Sequence, residues 1–347
     1  MRICIYSDNH FSQYSSILTL RGDTYSYRLE NQIKSINWIE SIAESRNCEK
    51  VICLGDFFND SKLNAEEITA LQDISWSKKL EHIFLVGNHE MSMHTSDCST
   101  MHLFRMLDNA RVIDKPTADT VGDIEFLYLP YILEDDRKSI STYVGDINRR
   151  RIILSHNDLK GIQMGRFISK NGFDIDDLSN NSIWTFNGHI HNQSCNNGNV
   201  INVGNLTGQN FSEDGFKYPH GCIFLDTDTM RVEFEINPYA INFYKVDLSS
   251  IEAIYYNCKL DELCKSLYNA VLSIKVPSGK IEYTHELLKS YPNIITYRVQ
   301  TAPNLDKKET KVEKITSIDH IEQFKEYVMK NFNLDEVTLQ ELDEVCK

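Results

Sequence analysis

Five short segments of the chain combine carboxylate, amide and imidazole side chains, and each follows a run of apolar residues. The segments are Ser7-Asp8-Asn9-His10, Gly55-Asp56, Gly87-Asn88-His89-Glu90, Ser155-His156-Asn157 and Gly188-His189-Ile190-His191. Short apolar runs are typical of buried strands, and open layered sheets collect their ligand sites beyond the carboxyl ends of their strands. We therefore expect these side chains to meet at one edge of a sheet.

Together the five segments could furnish seven ligands for divalent cations. They offer carboxylate, amide oxygen and imidazole but no thiolate, which favours two hard-to-borderline ions over zinc alone, with manganese or iron as the natural choice. A dinuclear site needs one carboxylate to bridge two cations about 3.5–4 Å apart, and Asp56, on a short turn after Gly55, is placed for that. Glycine before a ligand, as at Gly55, Gly87 and Gly188, lets the backbone turn sharply.

Each of these residues also has an ordinary structural interpretation. His156 could be a structural histidine after a strand, Asn88 a turn residue and His89 a loop histidine. His189 and His191 lie two residues apart on an extended chain and so point to one face, which favours a shared site over a surface pair. The ordered series of five segments favours a dinuclear site over these separate interpretations.

The remaining histidines and a basic cluster lie outside this series. We expect no ligand role for His82, His94, His102, His220, His285 and His320. His94 or His220 could still touch a substrate. The cluster Arg149-Arg150-Arg151 is interpreted as a solvated start of a strand rather than as a phosphate grip.

The motifs SDNH, GDFFND, GNHE, SHN and GHIH, in this order and with their ligand-type residues spanning positions 8 to 191, resemble the five signature motifs of the calcineurin-like metallophosphoesterases. The resemblance implies two metal ions, which we take to be manganese. Their ligands would be Asp8, His10, Asp56 and His191 for one, and Asp56, Asn88, His156 and His189 for the other. It leaves His89 as the general acid or transition-state stabiliser. The implied reaction is metal-dependent hydrolysis of a phosphoester.

The elements that must position these residues alternate between strand-like and helical patterns. Apolar runs at 2–7, 51–54 and 83–86 are separated by stretches of mixed polarity at 27–45 and 64–80, which is typical of β-α-β units. A helix is predicted near 97–108. Further strands are predicted at 124–129, 151–155, 183–187, 200–203, 222–226, 231–236 and 241–247, and we expect the later, closely spaced ones to be antiparallel.

These patterns predict an α/β protein with three parts. With the resemblance, the first part, 1–247, is expected to be a layered β-sandwich flanked by helices. Strand-like VLSIKV and IITYRV between helical stretches predict a small α+β capping domain at 248–302. A charged connector and a helical tail follow at 303–347, where a helix beginning after Ser317 carries an apolar stripe at helical spacing, formed by Ile318, Ile321, Phe324 and Val328.

Composition limits the class of protein. The chain has 347 residues, with 41% hydrophobic residues, no long apolar segment and no signal-peptide pattern, so we expect a cytoplasmic protein without a membrane span. Nine cysteines, none in a C-x-x-C pair, indicate neither a disulfide framework nor a zinc knuckle. A net charge of −14 argues against a chain that coats DNA by itself, although two bound cations would reverse the field locally.

Among calcineurin-like enzymes, phosphoprotein phosphatases have the pattern GD-x-VDRG at the second motif and an arginine before GNHE. The segments GDFFND and LVGNHE lack both arginines. GDFFND and SHNDLKG look more like the DNA-repair nucleases of the SbcD and meiotic-recombination type, although Asn59 stands where that family commonly has histidine or aspartate.

Resemblance to these nucleases implies an exonuclease on double-stranded DNA ends and an endonuclease on single-stranded DNA. It also implies a homodimer within a heterotetramer, in which the C-terminal helix binds the coiled coil of an SMC-like ABC ATPase of the SbcC type. Two alternatives stay open: a small-molecule or cyclic-nucleotide phosphodiesterase with the same core, and a mainly scaffolding subunit.

Overall fold

The computed structural model describes residues 1–93, 95–144, 150–164 and 167–301. Residues Met1–Ala302 form one compact unit. The predicted connector and tail at 303–347, with the helix after Ser317, lie outside the described residues. Within the described ranges, no helix has both the length and the apolar character needed to cross a bilayer.

The described chain contains nineteen strands. They are β1 (Arg2–Tyr6), β2 (Lys50–Cys53), β3 (Glu81–Leu85), β4 (Met91–Ser92), β5 (Thr95–Ser99), β6 (Ala110–Ile113), β7 (Thr117–Val121), β8 (Ile124–Leu129), β9 (Arg150–Ser155), β10 (Gln163–Met164), β11 (Phe167–Ile168), β12 (Trp184–Asn187), β13 (Ser194–Asn196), β14 (Val200–Asn202), β15 (Gly221–Asp226), β16 (Arg231–Ile236), β17 (Asn242–Asp247), β18 (Ala270–Val276) and β19 (Ile294–Thr301).

Six α-helices accompany the strands: α1 (Tyr27–Ser45), α2 (Ala65–Leu71), α3 (Ile140–Tyr143), α4 (Ile175–Asn180), α5 (Ala253–Ser266) and α6 (Ile281–Lys289). Short 3-10 helices occupy Thr100–Met106, Glu134–Asp136 and Ser278–Lys280. Three of these helices begin at side-chain caps, and at α4 the carboxylate of Asp174 accepts hydrogen bonds from the amides of Asp176 and Asp177. Ser26 accepts a hydrogen bond from the amide of Leu29 at α1, and Asn64 and Glu67 form a reciprocal capping box at α2.

Two six-stranded sheets form the centre of the molecule. The first has the order β16-β15-β1-β2-β3-β6 and the second β13-β14-β12-β9-β8-β7. The middle strands of each sheet are parallel, whereas β15, β16, β13 and β7 are antiparallel additions at the edges. Parallel strands end at the same edge, so the loops after β1, β2 and β3 meet, as do those after β9 and β12.

Apolar side chains separate the layers. The core between the two sheets includes Ile3, Ile5, Ile52, Leu85, Phe126, Ile152, Leu154 and Phe186. On the outer face of the first sheet, α1 buries Leu29, Ile36 and Ile39, which recur at helical spacing. On the outer face of the second sheet, Ile140 of α3 and Leu178 of α4 pack against Ile153. The predicted β-sandwich flanked by helices is therefore confirmed.

Three local predictions differ from the structure. Of the later, closely spaced strands, β15 and β16 are antiparallel as predicted, whereas β17 pairs parallel to β18, because α5 connects the two. Instead of one helix at 97–108, β5 is followed by a 3-10 helix, since Ser99 accepts a hydrogen bond from the amide of Met101. The expected helical stretch 64–80 contains only α2.

A third sheet, of order β17-β18-β19, is fully parallel. One face of it packs on α5 and α6 through Leu272, Ile274, Tyr256, Leu260 and Leu288. Strand β17 pairs with β18 rather than with either large sheet, although the predicted boundary at 247/248 would place it in the first domain. The three-part division itself stays a prediction.

Candidate metal centre and active site

The five polar segments lie beyond the carboxyl ends of β1, β2, β3, β9 and β12, as their spacing indicates. Backbone hydrogen bonds join the loops: the amide of Asp8 donates to the oxygen of Gly55 at 3.1 Å, and that of His10 to the oxygen of Asp56 at 2.9 Å. In the second sheet, the amide of Gly188 donates to the oxygen of Ser155 at 2.8 Å. The loops are thus held in register before any ligand binds.

In the part of the chain that the structure describes, three groups of side chains present ligand atoms that lie within 4.8 Å of one another. The groups are Asp8, His10 and His191; His10, Asp56 and His89; and Asp56, His156 and His189. Because His10 and Asp56 each belong to two groups, the three form one continuous cluster, with Asp56 near its centre. The bridging role of Asp56 stays a prediction.

Distances within the cluster are short. Nε2 of His10 lies 3.1 Å from Nε2 of His191, and Nε2 of His156 lies 3.2 Å from Oδ2 of Asp56. Asn88 belongs with the third group, since its Oδ1 lies 2.9 Å from Nδ1 of His189. All seven candidate ligands are therefore brought together, although their metal roles stay predictions.

The cluster fits divalent cations because it contains buried polar atoms without partners. Among the described residues, neither ring nitrogen of His156 forms a hydrogen bond, although the side chain is fully buried. Leaving a buried polar atom unsatisfied costs about 1–3 kcal/mol. A cation bound between His156, Asp56 and His189 would supply the missing partner, and the mixture of imidazole, carboxylate and amide donors suits manganese or iron.

The backbone at the cluster is strained. Asp8, His10, Asp56 and His189 all adopt left-handed conformations, with φ between 47° and 68°. Such conformations are uncommon outside glycine, and they persist where the surrounding structure imposes them. Gly55 has a φ of 121°, and a Cβ atom there would lie 2.5 Å from Nδ1 of His156. Gly55 is therefore required by close approach to the cluster as well as by its turn.

Electrostatics show the cluster to be rich in negative charge. Burial alone would lower the pKa of His156, but the neighbouring Asp56 carboxylate raises it to about 9. Burial also opposes protonation of His191, whose pKa is raised to about 9 by its hydrogen bond to Glu213. Burial would raise the pKa of Asp56, yet the charge of His156 holds it well below its ordinary value. The carboxylates of Asp56 and Glu213 thus favour positive charge on the neighbouring histidines.

Two carboxylates behind the cluster orient its histidines, and neither was predicted from the sequence. Oε1 of buried Glu213 accepts a hydrogen bond from Nδ1 of His191 at 2.8 Å. Oδ1 of Asp158 lies 3.1 Å from Nε2 of His189. A carboxylate on the far nitrogen fixes the tautomer and ring orientation of a metal-binding histidine. Asp158 directly follows the SHN motif, which was an available signal, but no motif marks Glu213.

Further buried groups hold the loop backbones. The carboxylate of Glu90 accepts hydrogen bonds from the amides of Phe58 and Gly87, both at 2.9 Å, and its burial raises its pKa well above the ordinary value. From α1, the guanidinium of Arg28 donates to the oxygen of His10 at 3.1 Å, and Gln32 donates to the same oxygen at 2.8 Å. Helix α1 therefore fixes the first motif.

His89 differs from the other motif histidines because it is exposed. Its Nδ1 lies 2.8 Å from the oxygen of Asn59, and its ring stands perpendicular to that of His10 at a centroid distance of 4.5 Å. With Nδ1 as the donor to Asn59, Nε2 is free to exchange a proton with a substrate. This geometry suits the predicted acid role, which stays a prediction. Asn59 contributes its main-chain oxygen to this contact.

The other histidines lie outside the three groups. Buried His82 bonds Glu40, His102 pairs with Asp114 at 3.4 Å, and His285 contacts Tyr297. His220 is 1% exposed, so it is not placed to touch a substrate as the sequence analysis allowed. His94 and His320 lie outside the described residues.

The arginines of the basic cluster differ in exposure. Arg150 is exposed and pairs with Asp123 at 2.7 Å, as expected for a solvated start of β9. Arg151 was interpreted in the same way, but it is 1% exposed and pairs with Glu125. The reason is strand alternation, which turns Arg151 inward. Arg149 lies outside the described residues.

Comparison with known proteins identifies the family. The calcineurin-like phosphoesterase family matches residues 1–218. No curated protein matches the sequence. One solved crystal structure is similar with a TM-score of 0.41 at 11% identity, covering 68% of this chain and 98% of that chain. A dimetal phosphatase from Danio rerio is similar with a TM-score of 0.36 at 12% identity, covering 64% and 91%.

Structural likeness at these TM-scores and identities carries no argument about substrate. The family match, by contrast, covers the whole of the cluster described above, from Asp8 to His191. The chain belongs to the calcineurin-like phosphoesterase family.

Proposed function

We propose that this protein is a metal-dependent DNA nuclease and the nuclease subunit of an SbcCD-like repair and recombination complex. The observation that carries the hydrolytic part is the continuous cluster in which Asp56 and His10 are shared, with exposed His89 beside them. Two divalent ions, manganese by preference, would be held by the seven candidate ligands. When bound, they would activate water and stabilise the charge of the phosphoryl group in the transition state.

The side chains of the chain divide the remaining work. Glu213 and Asp158 keep His191 and His189 in fixed orientations, so the ligand nitrogens face the cluster. His89 donates a proton from Nε2 to the departing oxygen when its ring is protonated, because its Nδ1 is already engaged with Asn59. Because the loops are buried and already in place, the site needs little reorganisation when the reaction occurs.

The DNA substrate is supported by the motifs rather than by the cluster. GDFFND and LVGNHE lack the two arginines expected of a phosphoprotein phosphatase, and SHNDLKG resembles the repair nucleases. The sheet formed by β17, β18 and β19 follows the phosphoesterase region, which supports the capping domain of such nucleases. The net charge of −14 favours the alternative, a phosphodiesterase of small or cyclic nucleotides.

One experiment separates these functions. Purified protein with Mn²⁺ is tested on linear double-stranded DNA, single-stranded DNA, a cyclic nucleotide and bis(p-nitrophenyl) phosphate. We expect both DNA forms to be degraded. Hydrolysis of the small diesters with intact DNA would favour the alternative, and a metal-loaded protein inactive on every substrate would favour a scaffolding role.

We further propose an SMC-like ABC ATPase as the partner, bound in the cytoplasm by the helix predicted after Ser317, in a complex with two nuclease subunits. Its apolar stripe of Ile318, Ile321, Phe324 and Val328 supports a groove-binding role, and the acidic end of the chain suits a basic patch on the partner. Truncation after Thr316 should abolish co-purification with the ATPase and spare hydrolysis of small diesters. Retained complex formation would contradict this docking.

A further inference from the structure

A cavity of about 320 Å³ adjoins the third group of the cluster, and neither the proposed chemistry nor the motifs account for it. Its walls include Met91, Tyr131, Leu133, Lys138 and Tyr143. The volume is at the lower end of the range typical of ligand sites, so one small organic group would fill it.

Tyr131 connects the cavity with the candidate metal centre. Its ring lies 5.6 Å from that of His189 and 6.5 Å from that of His156, measured between centroids, while the same side chain forms part of the cavity wall. A group bound in the cavity against Tyr131 is therefore a near neighbour of any phosphoryl group held by His156 and His189.

The wall is fixed to the centre by hydrogen bonds. The amide of Ile132 donates to Oδ1 of Asn157 at 3.0 Å, directly beside His156 in the chain. The guanidinium of Arg137 donates to the oxygen of Ile132 at 2.8 Å and lies 3.3 Å from the carboxylate of Asp158, which itself holds His189. The distance from the cavity to the cluster is thus set by a rigid network.

The chemistry of the walls suits a nucleobase. Tyr131 and Tyr143 offer aromatic surface, and Met91 and Leu133 offer apolar surface. Bases stack on aromatic side chains whatever their identity, because every base has a π-face. Lys138 is exposed at the cavity and offers a cation to a neighbouring phosphate.

We infer that this cavity receives the unpaired nucleobase next to the scissile phosphodiester, with Tyr131 as its stacking surface and Lys138 beside the adjoining phosphate. The inference rests on the proposed nuclease function and narrows its substrate to DNA whose terminal or flanking nucleotide is unpaired. A fully paired end must first release a base, which costs the energy of unpairing and unstacking. Frayed and single-stranded ends are therefore cut faster than blunt ends.

The test uses the full-length protein with Mn²⁺ and a single-stranded phosphorothioate oligonucleotide carrying 2-aminopurine at its terminal nucleotide. Stacking in the cavity should quench the 2-aminopurine fluorescence. We expect roughly tenfold weaker binding for Tyr131→Leu, from loss of one stacking contact. We expect about threefold weaker binding for Lys138→Glu. The matched control is Tyr283→Leu, a 40% exposed tyrosine on α6, which should bind like the wild type.

Metal content, measured on each variant, separates stacking from damage to the centre. If Tyr131→Leu loses metal, oligonucleotide binding by Lys138→Glu becomes the test of the cavity. Lys138 belongs to none of the three groups of described ligands. If both cavity variants bind the oligonucleotide as tightly as the wild type, the inference is wrong and the cavity would be assigned to a protein partner. DNA cleavage by the same preparations would still support the nuclease function. Absence of any DNA cleavage by the wild type would overturn both.

Discussion

A buried histidine lies beside a carboxylate near each end of strand β3. The two pairs differ in whether the polar atoms of the histidine form hydrogen bonds. At its start, Nε2 of buried His82 lies 3.0 Å from Oε2 of Glu40, and Nδ1 lies 3.3 Å from the side-chain nitrogen of Asn109. Beyond its end lies the cluster, where both nitrogens of His156 lack hydrogen bonds among the described residues although Asp56 is 3.2 Å away.

Backbone conformation distinguishes the two ends as well. His82 lies within a regular strand, whereas Asp8, His10, Asp56 and His189 occupy left-handed conformations. Buried histidine beside carboxylate is thus not diagnostic in itself. A closed network stabilises the fold, whereas unsatisfied atoms on strained loops indicate a site that awaits a ligand.

The largest expected difference between the two ends comes from a matched pair of variants, Asp56→Asn and Glu40→Gln. Because Asp56 belongs to two ligand groups, Asp56→Asn should lose metal and lower hydrolysis of bis(p-nitrophenyl) phosphate by at least about 10³-fold. Glu40→Gln should keep the metal and lower the free energy of unfolding by about 1–3 kcal/mol. Elemental analysis and denaturant unfolding measure the two effects. Equal loss of metal in both variants would remove the distinction.

Within the cluster, His89→Ala should lower DNA hydrolysis by about 10²–10⁴-fold with unchanged metal content, since the proposed role makes His89 a proton donor and not one of the seven ligands. His191→Ala should instead weaken metal binding. Wild-type preparations should contain two metal ions per chain after loading with manganese. A fully active His89→Ala, or equal loss of metal from both variants, would show that the roles are wrongly assigned.

A smaller effect is expected behind the cluster. Glu213→Gln leaves a hydrogen-bonding group beside His191 but removes the charge that holds its ring, and it should lower metal affinity by about 10- to 100-fold. Calorimetric titration with Mn²⁺ measures this change. The control is Glu233→Gln, whose side chain is 42% exposed on β16 and should leave affinity unchanged. Identical titrations for the two variants would show that Glu213 is only structural.

The smallest effect is expected at Asn59. The repair nucleases that the motifs resemble commonly have histidine or aspartate at this position. The contact to His89 is made by the main-chain oxygen of Asn59, which any residue supplies. Asn59→Ala should therefore change the hydrolysis of bis(p-nitrophenyl) phosphate by no more than about twofold. A large loss on this small substrate would place the Asn59 side chain in the active site.

Much of the fold was predictable because local patterns agree with it. Helix α1 begins and ends as its polarity pattern predicts, with Ser26 as its cap, and β1, β2 and β3 coincide with short apolar runs. The direction of β17, which pairs parallel to β18, was not predictable in this way. Periodicity reports burial, whereas strand direction depends on which distant segment supplies the pairing partner.

The sequence by itself determined which residue types stand at the ends of the strands and in which order, and that order suffices for the family. Only the tertiary structure decided which charges face each other. Glu213 reaches His191 across 22 positions, and Asp158 reaches His189 across 31, because parallel strands bring loops together that the chain keeps apart. For the same reason, Arg151 became a buried partner of Glu125 and Tyr131 came to join a cavity to the cluster.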